Sequence, residues 1–180
     1  MVPAIFLDRD GVIIANRPDY VRTWADVEIY PQALKALSKI TNSPYKIVIV
    51  TNQSIINRGL ASLPTVYTIN ERLRRIIIAV GGRIDGIFLC PHTPAENCDC
   101  RKPRPGMLLD AAEKLNLDLP NSIMIGDALS DLAAGKAAGL KKLRLVLTGR
   151  GKEQRALPEA TSLEPFEVYD DLLKAFSDII

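Results

Sequence analysis

The apolar residues of this 180-residue chain change their period from segment to segment. Short unbroken apolar runs at 4–7 and 46–50, the second rich in β-branched residues, predict strands buried on both faces. Runs at 86–90, 122–126 and 143–147 predict three more strands, and 167–169 a last short one. Between them the spacing turns helical. Leu34, Leu37 and Ile40 share one face of a helix opened by Pro31. Residues 65–80 predict a second helix, closed by Gly81 and Gly82. Leu108, Ala112 and Leu115 align along a helix over 105–117, residues 130–138 predict another stopped by Gly139, and a terminal helix follows Asp170.

Strands alternating with helices imply an α/β, Rossmann-like fold, with a mainly parallel sheet covered by helices on both faces. The length suits one domain over 1–180. Residues 149–165, rich in charge and proline, are expected to form a mobile loop. In open sheets of this kind ligands bind beyond the carboxyl ends of the strands. Asp8, Thr51 and Asp127 each lie at or just past such an end, so separated residues are expected to converge on one edge.

Composition narrows the function. With 23 basic and 21 acidic side chains the net charge is +2, without the excess of a dedicated nucleic-acid binder. The longest run free of charged residues, 59–70, is too short and polar for a membrane span, which needs roughly 20 apolar residues. The N-terminal segment has no basic start and meets Asp8 early, unlike a signal peptide. The expectation is a cytoplasmic monomer acting on a small molecule, with neither nucleic acid nor membrane as partner.

Four segments carry chemistry. In Asp8-Arg-Asp10-Gly11, two carboxylates leave the sheet together and would repel each other unless a cation such as Mg²⁺ sat between them. Thr51-Asn52-Gln53-Ser54 offers hydroxyls, amides and backbone N–H groups to phosphate oxygens. Lys102, in a proline-fixed loop, presents a point charge. In Gly126-Asp127 and Asp131, an acid after a strand and another at a helix start suit a metal ligand and its supporting partner.

The one histidine and all three cysteines cluster separately, as Cys90, His92, Cys98 and Cys100. Three thiolates and an imidazole make a closed tetrahedral Zn²⁺ site, with no position left for catalytic water. The odd cysteine count and the cytosolic context argue against disulfides. Bound zinc would brace the loop that delivers Arg101 and Lys102. Cys98 and Arg104 also have the spacing of thiolate phosphatases, but the loop between them has no glycine and Pro103 has no N–H to offer phosphate.

The order of DxDG, strand-end Thr, Lys-Pro and GDxxxD resembles the haloacid dehalogenase-like phosphatases over residues 6–139. That resemblance implies Asp8 as a nucleophile forming an aspartyl-phosphate and Asp10 as the acid and then the base. It implies Thr51 and Lys102 as holders of the phosphoryl group. Mg²⁺ would be bound by Asp8, the backbone carbonyl of Asp10 and Asp127, with Asp131 supporting. No bulky insertion follows Gly11 or Thr51, where this superfamily carries caps, so no large cap domain is expected. With the Cys/His loop, Asn16, Asp19-Tyr20-Val21, TNQS and Arg58-Gly59, the chain is similar to a narrower branch. That branch contains heptose bisphosphate phosphatases and the phosphatase domain of histidinol-phosphate enzymes. Gly106-Met107 and Thr148-Gly149 fit the heptose side, and the resemblance implies Asn52, Arg58 and Arg101 as substrate-binding residues. Ile55 stands where the branch usually has glycine. The competing class is a zinc-supported nucleic-acid module using Arg101, Lys102 and Arg104. The carboxylates of Asp8, Asp10 and Asp127 would repel a phosphate backbone.

Overall fold

The strands are β1 (Ala4–Leu7), β2 (Lys46–Asn52), β3 (Gly86–Cys90), β4 (Ile123–Gly126), β5 (Lys142–Val146) and β6 (Glu167–Tyr169). In the computed structural model, which describes residues 1–179, they form one sheet in the order β3-β2-β1-β4-β5-β6. Every neighbouring pair is parallel.

The unbroken apolar runs have a simple cause: successive strand residues point to opposite faces, and both faces are covered. Ile5, Leu7, Ile47 and Ile49 pack on one side with Leu37, Leu73 and Phe176. These come from α1 (Pro31–Lys39), α2 (Leu63–Ala79) and the end of α6 (Leu172–Ala175). Phe6, Val48, Val50 and Met124 face the other side, against Leu108 and Ala111 of α3 (Gly106–Leu115) and Leu132 of α4 (Leu129–Ala137). Each fully buried side chain of this size contributes about 1.5–3 kcal/mol.

Element boundaries differ from expectation where local partners intervene. Strand β2 runs on through Thr51 and Asn52, which pair with Leu89 and Cys90 of β3. Helix α2 starts at Leu63, because the Ser62 hydroxyl accepts from the Thr65 N–H. Helix α3 ends at Leu115, where Asn116 turns left-handed at φ 53°. The expected mobile loop at 149–165 is instead structured. It holds α5 (Gly151–Arg155) and a 3₁₀ turn (Pro158–Leu163), docked by buried Ala160 and by Lys136 Nζ donating to the Ser162 carbonyl.

The chain steps from β1 to β2 to β3 on one side, then returns so that β4 pairs with the other side of β1. Loops after β1 and β4 therefore leave in opposite directions and open a crevice between them. Residues 11–30 form only a small flap, in which Ile14 bridges Asp10 and Ile29, and no cap domain interrupts the described residues. Among these residues no helix is long and apolar enough to cross a membrane.

Candidate active site and metal centres

Asp8 leaves β1 with its N–H still donating to the Ile125 carbonyl, so the β1–β4 ladder fixes where its carboxylate begins. Lys102 reaches it from the far loop. The ammonium lies 3.0 Å from Asp8 Oδ1 and 2.6 Å from Asp131 Oδ1, and donates to the Val50 carbonyl at 2.8 Å. All three of its protons are thereby used, in a residue only 3% exposed. Asp8, Asp127 and Asp131 bring carboxylate oxygens within 4.8 Å of one another.

One lysine cannot balance three buried acids. Burial pushes Asp8 up to about 7, with Asp131 and Asp10 adding to the rise and Lys102 opposing it. Asp127 and Asp131 are raised as well, first by burial. Burial alone would lower Lys102, but Asp131 and Asp8 outweigh it and hold it charged.

Asp127 is the informative member. It is 0% exposed, and its Oδ2 accepts from Asn16 Nδ2 at 2.7 Å and from the Arg150 N–H at 2.8 Å. Its Oδ1 is buried with no partner at all. Two glycines from distant segments close over the same carboxylate. A Cβ on Gly11 (φ 87°) would fall 2.0 Å from Asp127 Oδ2, and one on Gly149 (φ 56°) 2.3 Å from it. Thr148 ties the two loops by donating to the Gly11 carbonyl at 2.6 Å. A buried carboxylate oxygen without a donor, among acids in excess, fits a hard divalent cation such as Mg²⁺.

Asp10 projects away from this trio. Its carboxylate accepts from two nitrogens of Arg9, Nε at 3.0 Å and Nη2 at 3.2 Å, and from Gln53 Nε2 at 3.1 Å. Thr51 Oγ1 lies 3.5 Å from Asp10 Oδ2 and accepts from Gln53. The Asp10 side chain is thus outside the acid trio.

The Cys/His segment folds into a compact knot. Cys100 Sγ lies 3.0 Å from Cys90 Sγ and 3.4 Å from Cys98 Sγ, and His92 Nδ1 is 3.2 Å from Cys100 Sγ and 3.4 Å from Cys90 Sγ. All three cysteines are free. Three soft sulfurs and an imidazole nitrogen converging on one point suit Zn²⁺, whose Zn–S distance is about 2.3 Å. Arg104 laces the loop through the carbonyls of Asn97 and Cys98.

A cavity of about 680 Å³ opens above Asp8 and is also lined by Arg17, Arg101, Lys102 and Arg150. Arg101 stands at its edge, donating to the His92 carbonyl at 3.1 Å. Asn52 lines it too, but both ends of its amide pair with the Lys102 backbone, each at 3.1 Å. Its side chain therefore buckles the lysine loop to β2. Arg58, expected at the substrate, is exposed, lies 3.4 Å from Ser54 Oγ, and does not line the cavity.

The HAD-hydrolase-like family model matches residues 99–175. D-glycero-beta-D-manno-heptose-1,7-bisphosphate 7-phosphatase of Neisseria meningitidis serogroup A is 39% identical, over 94% of this chain and 90% of its own. The chain belongs to this family of HAD-like phosphatases. The Pseudomonas aeruginosa member is 35% identical over 98% of this chain and 97% of its own. A crystal structure of D,D-heptose 1,7-bisphosphate phosphatase from B. bronchiseptica, complexed with magnesium and phosphate, matches with a TM-score of 0.89 at 35% identity. It covers 98% of this chain, which covers 97% of it. Within this phosphatase's site, Arg9, Gln53 and Arg150 had no assigned role from sequence. Arg9 and Gln53 sit inside recognised motifs, and their position there was the available signal.

Proposed function

We propose that this chain hydrolyses the 7-phosphate of D-glycero-β-D-manno-heptose 1,7-bisphosphate, with Mg²⁺, through an aspartyl-phosphate on Asp8. The observation that carries the reading is the buried Asp8–Lys102–Asp131 cluster beside an unpartnered Asp127 oxygen, in a chain 39% identical to such a phosphatase.

Asp8 attacks phosphorus while the bond from phosphorus to the sugar oxygen breaks, and that oxygen takes the proton of the Asp10 carboxyl. Asp10, now a carboxylate, accepts a proton from water as the water oxygen attacks the aspartyl-phosphate. The bond to Asp8 breaks and phosphate leaves. Thr51 holds the transferring group together with Lys102, whose N–H now donating to Asp8 turns to a phosphoryl oxygen as Asp8 attacks, and Arg101 meets the rest of the substrate at the cavity edge. Asp8, the Asp10 carbonyl and Asp127 would hold Mg²⁺, which would supply charge neutralisation for the phosphoryl group. Asp131 keeps Lys102 in place. Cys90, His92, Cys98 and Cys100 would hold a structural Zn²⁺, which would fix the loop bearing Arg101 and Lys102. The chain is read as one domain acting as a monomer. Three cysteines outside any disulfide suit the reducing cytoplasm.

Phosphate release from heptose 1,7-bisphosphate, histidinol phosphate and simple sugar phosphates, with and without Mg²⁺, tests the assignment. The heptose bisphosphate is expected to give the highest kcat/KM. A preference for histidinol phosphate would overturn the substrate, and activity unaffected by Mg²⁺ removal would overturn the mechanism.

A further inference from the structure

Arg9 is, with Arg144, one of the two largest fully buried side chains among the described residues, 1% exposed beside the cavity, and the proposed reaction gives it no part. A buried guanidinium is costly unless its donors are matched. Here Nε and Nη2 grip both oxygens of Asp10, at 3.0 and 3.2 Å, in the planar fork that a carboxylate fits. The remaining arm, Nη1, donates to Asn70 Oδ1 at 2.8 Å. Asn70 is 3% exposed and lies in the core-facing stripe of α2, among Val66, Ile69 and Leu73. Its Nδ2 has no partner among the described residues, so this amide sits in an apolar stripe at a cost, with the Arg9 contact as its one side-chain hydrogen bond there. Gln53 and Thr51 reach only one oxygen of Asp10, whereas Arg9 meets both and so sets the plane of the carboxyl group.

We propose that Arg9, anchored on α2 by Asn70, is a positioning residue that aims Asp10 for proton donation to the leaving oxygen from Oδ1. Among the described residues Oδ1 accepts from Arg9 Nη2 alone, and it has a second lone pair to carry the proton. The inference rests on the reading of Asp10 as the general acid. It predicts a dependence on the leaving group. A sugar alkoxide needs its proton as the bond to phosphorus breaks, whereas p-nitrophenolate leaves without one. A misaimed Asp10 therefore slows the first substrate and spares the second.

The test compares kcat/KM for heptose 1,7-bisphosphate and p-nitrophenyl phosphate, a constant that covers steps only through phosphoryl transfer to Asp8. The wild type is set beside Asp10→Asn, Arg9→Met, Arg9→Lys and Asn70→Leu. Both substrates are assayed on the same preparation, so a partly unfolded variant lowers both equally and leaves their ratio intact. Arg9→Met is expected to lose about 100-fold on the sugar and less than about 3-fold on the aryl ester. Arg9→Lys recovers part of that loss, and Asn70→Leu shifts the ratio the same way by less. If Asp10→Asn shows the split and Arg9→Met slows both substrates equally, the positioning role of Arg9 is overturned. If Asp10→Asn itself slows both equally, the acid reading of Asp10 fails first.

Discussion

The Cys/His knot draws its four donors from residues 90–100 alone, whereas the acid centre takes Asp8 from the end of β1, Lys102 from a loop, Asp127 from the β4–α4 turn and Asp131 from the first turn of α4. The knot is closed, since its donors face one another and one tetrahedral ion would use them all. The acid centre is open. It carries more negative charge than Lys102 can offset, and Asp127 keeps a free buried oxygen. A site meant for structure can be complete before substrate arrives, while a site meant for phosphoryl transfer has to hold charge in reserve. The two meet at Cys100, Arg101 and Lys102, three consecutive residues that belong in turn to the knot, the cavity edge and the acid centre.

The sharpest separation comes from Asp8→Asn. Turnover is expected to fall on the order of 10⁴-fold or more, because the nucleophile is gone. Zinc content stays at one per chain, and the Mg²⁺-free protein becomes more stable at neutral pH, since a buried charge has been removed. Thermal melts and metal analysis on the same sample check both halves. Lys102→Ala follows, with turnover down by about 10³-fold. It also destabilises the protein by roughly 3–5 kcal/mol, because three buried acids lose their cation. Zinc retention should again be unchanged.

Gly149→Ala acts more gently and only on the open centre. Its Cβ would intrude on Asp127 Oδ2 and lie 2.5 Å from Gly11 Cα. The Mg²⁺ concentration for half-maximal activity should rise about 10- to 100-fold, as for loss of a metal ligand's supporting contact. Equal Mg²⁺ dependence in variant and wild type would contradict the cradle.

The smallest effect is on stability against pH. Asp8 is raised to about 7 by burial, so the folded state holds protons that the unfolded chain has already released. Stability of zinc-loaded, Mg²⁺-free protein should therefore fall as pH rises from the ordinary carboxylate range through about 7. Added Mg²⁺ should cancel the loss, widening the Tm gap with rising pH by about 2–4 °C for each kcal/mol involved. A gap constant with pH would mean that the acids carry no mutual strain.

The same contrast explains what could be read without coordinates. The knot was legible from spacing because its ligands are neighbours in the chain. Asp8 and Asp127 were legible because each ends an apolar strand, and parallel sheets gather such ends on one edge. Directions of side chains were not. Asp10 turns away from its neighbouring acid because Arg9 grips it, and Arg9 is anchored by Asn70, 61 residues further along the chain. Asn52 pairs with the Lys102 backbone because β2 continues two residues past its apolar run, an extension fixed by pairing with β3. The segment 149–165 looked irregular because its composition is polar. Its fold rests on a few small contacts, such as buried Gly151 and Ala160, that carry no periodic signal.

The coupling between the two centres can be tested by measuring kcat/KM of Cys100→Ser below its unfolding temperature, with zinc content and circular dichroism recorded on the same protein. Cys100 contributes a donor to the knot and lies two residues before Lys102, so loss of the ion should shift the ammonium relative to Asp8. A displacement of about 1 Å costs on the order of 100-fold in phosphoryl transfer, and a fall of that size with the zinc gone is the expected result. A folded, zinc-free Cys100→Ser with wild-type kcat/KM would contradict it.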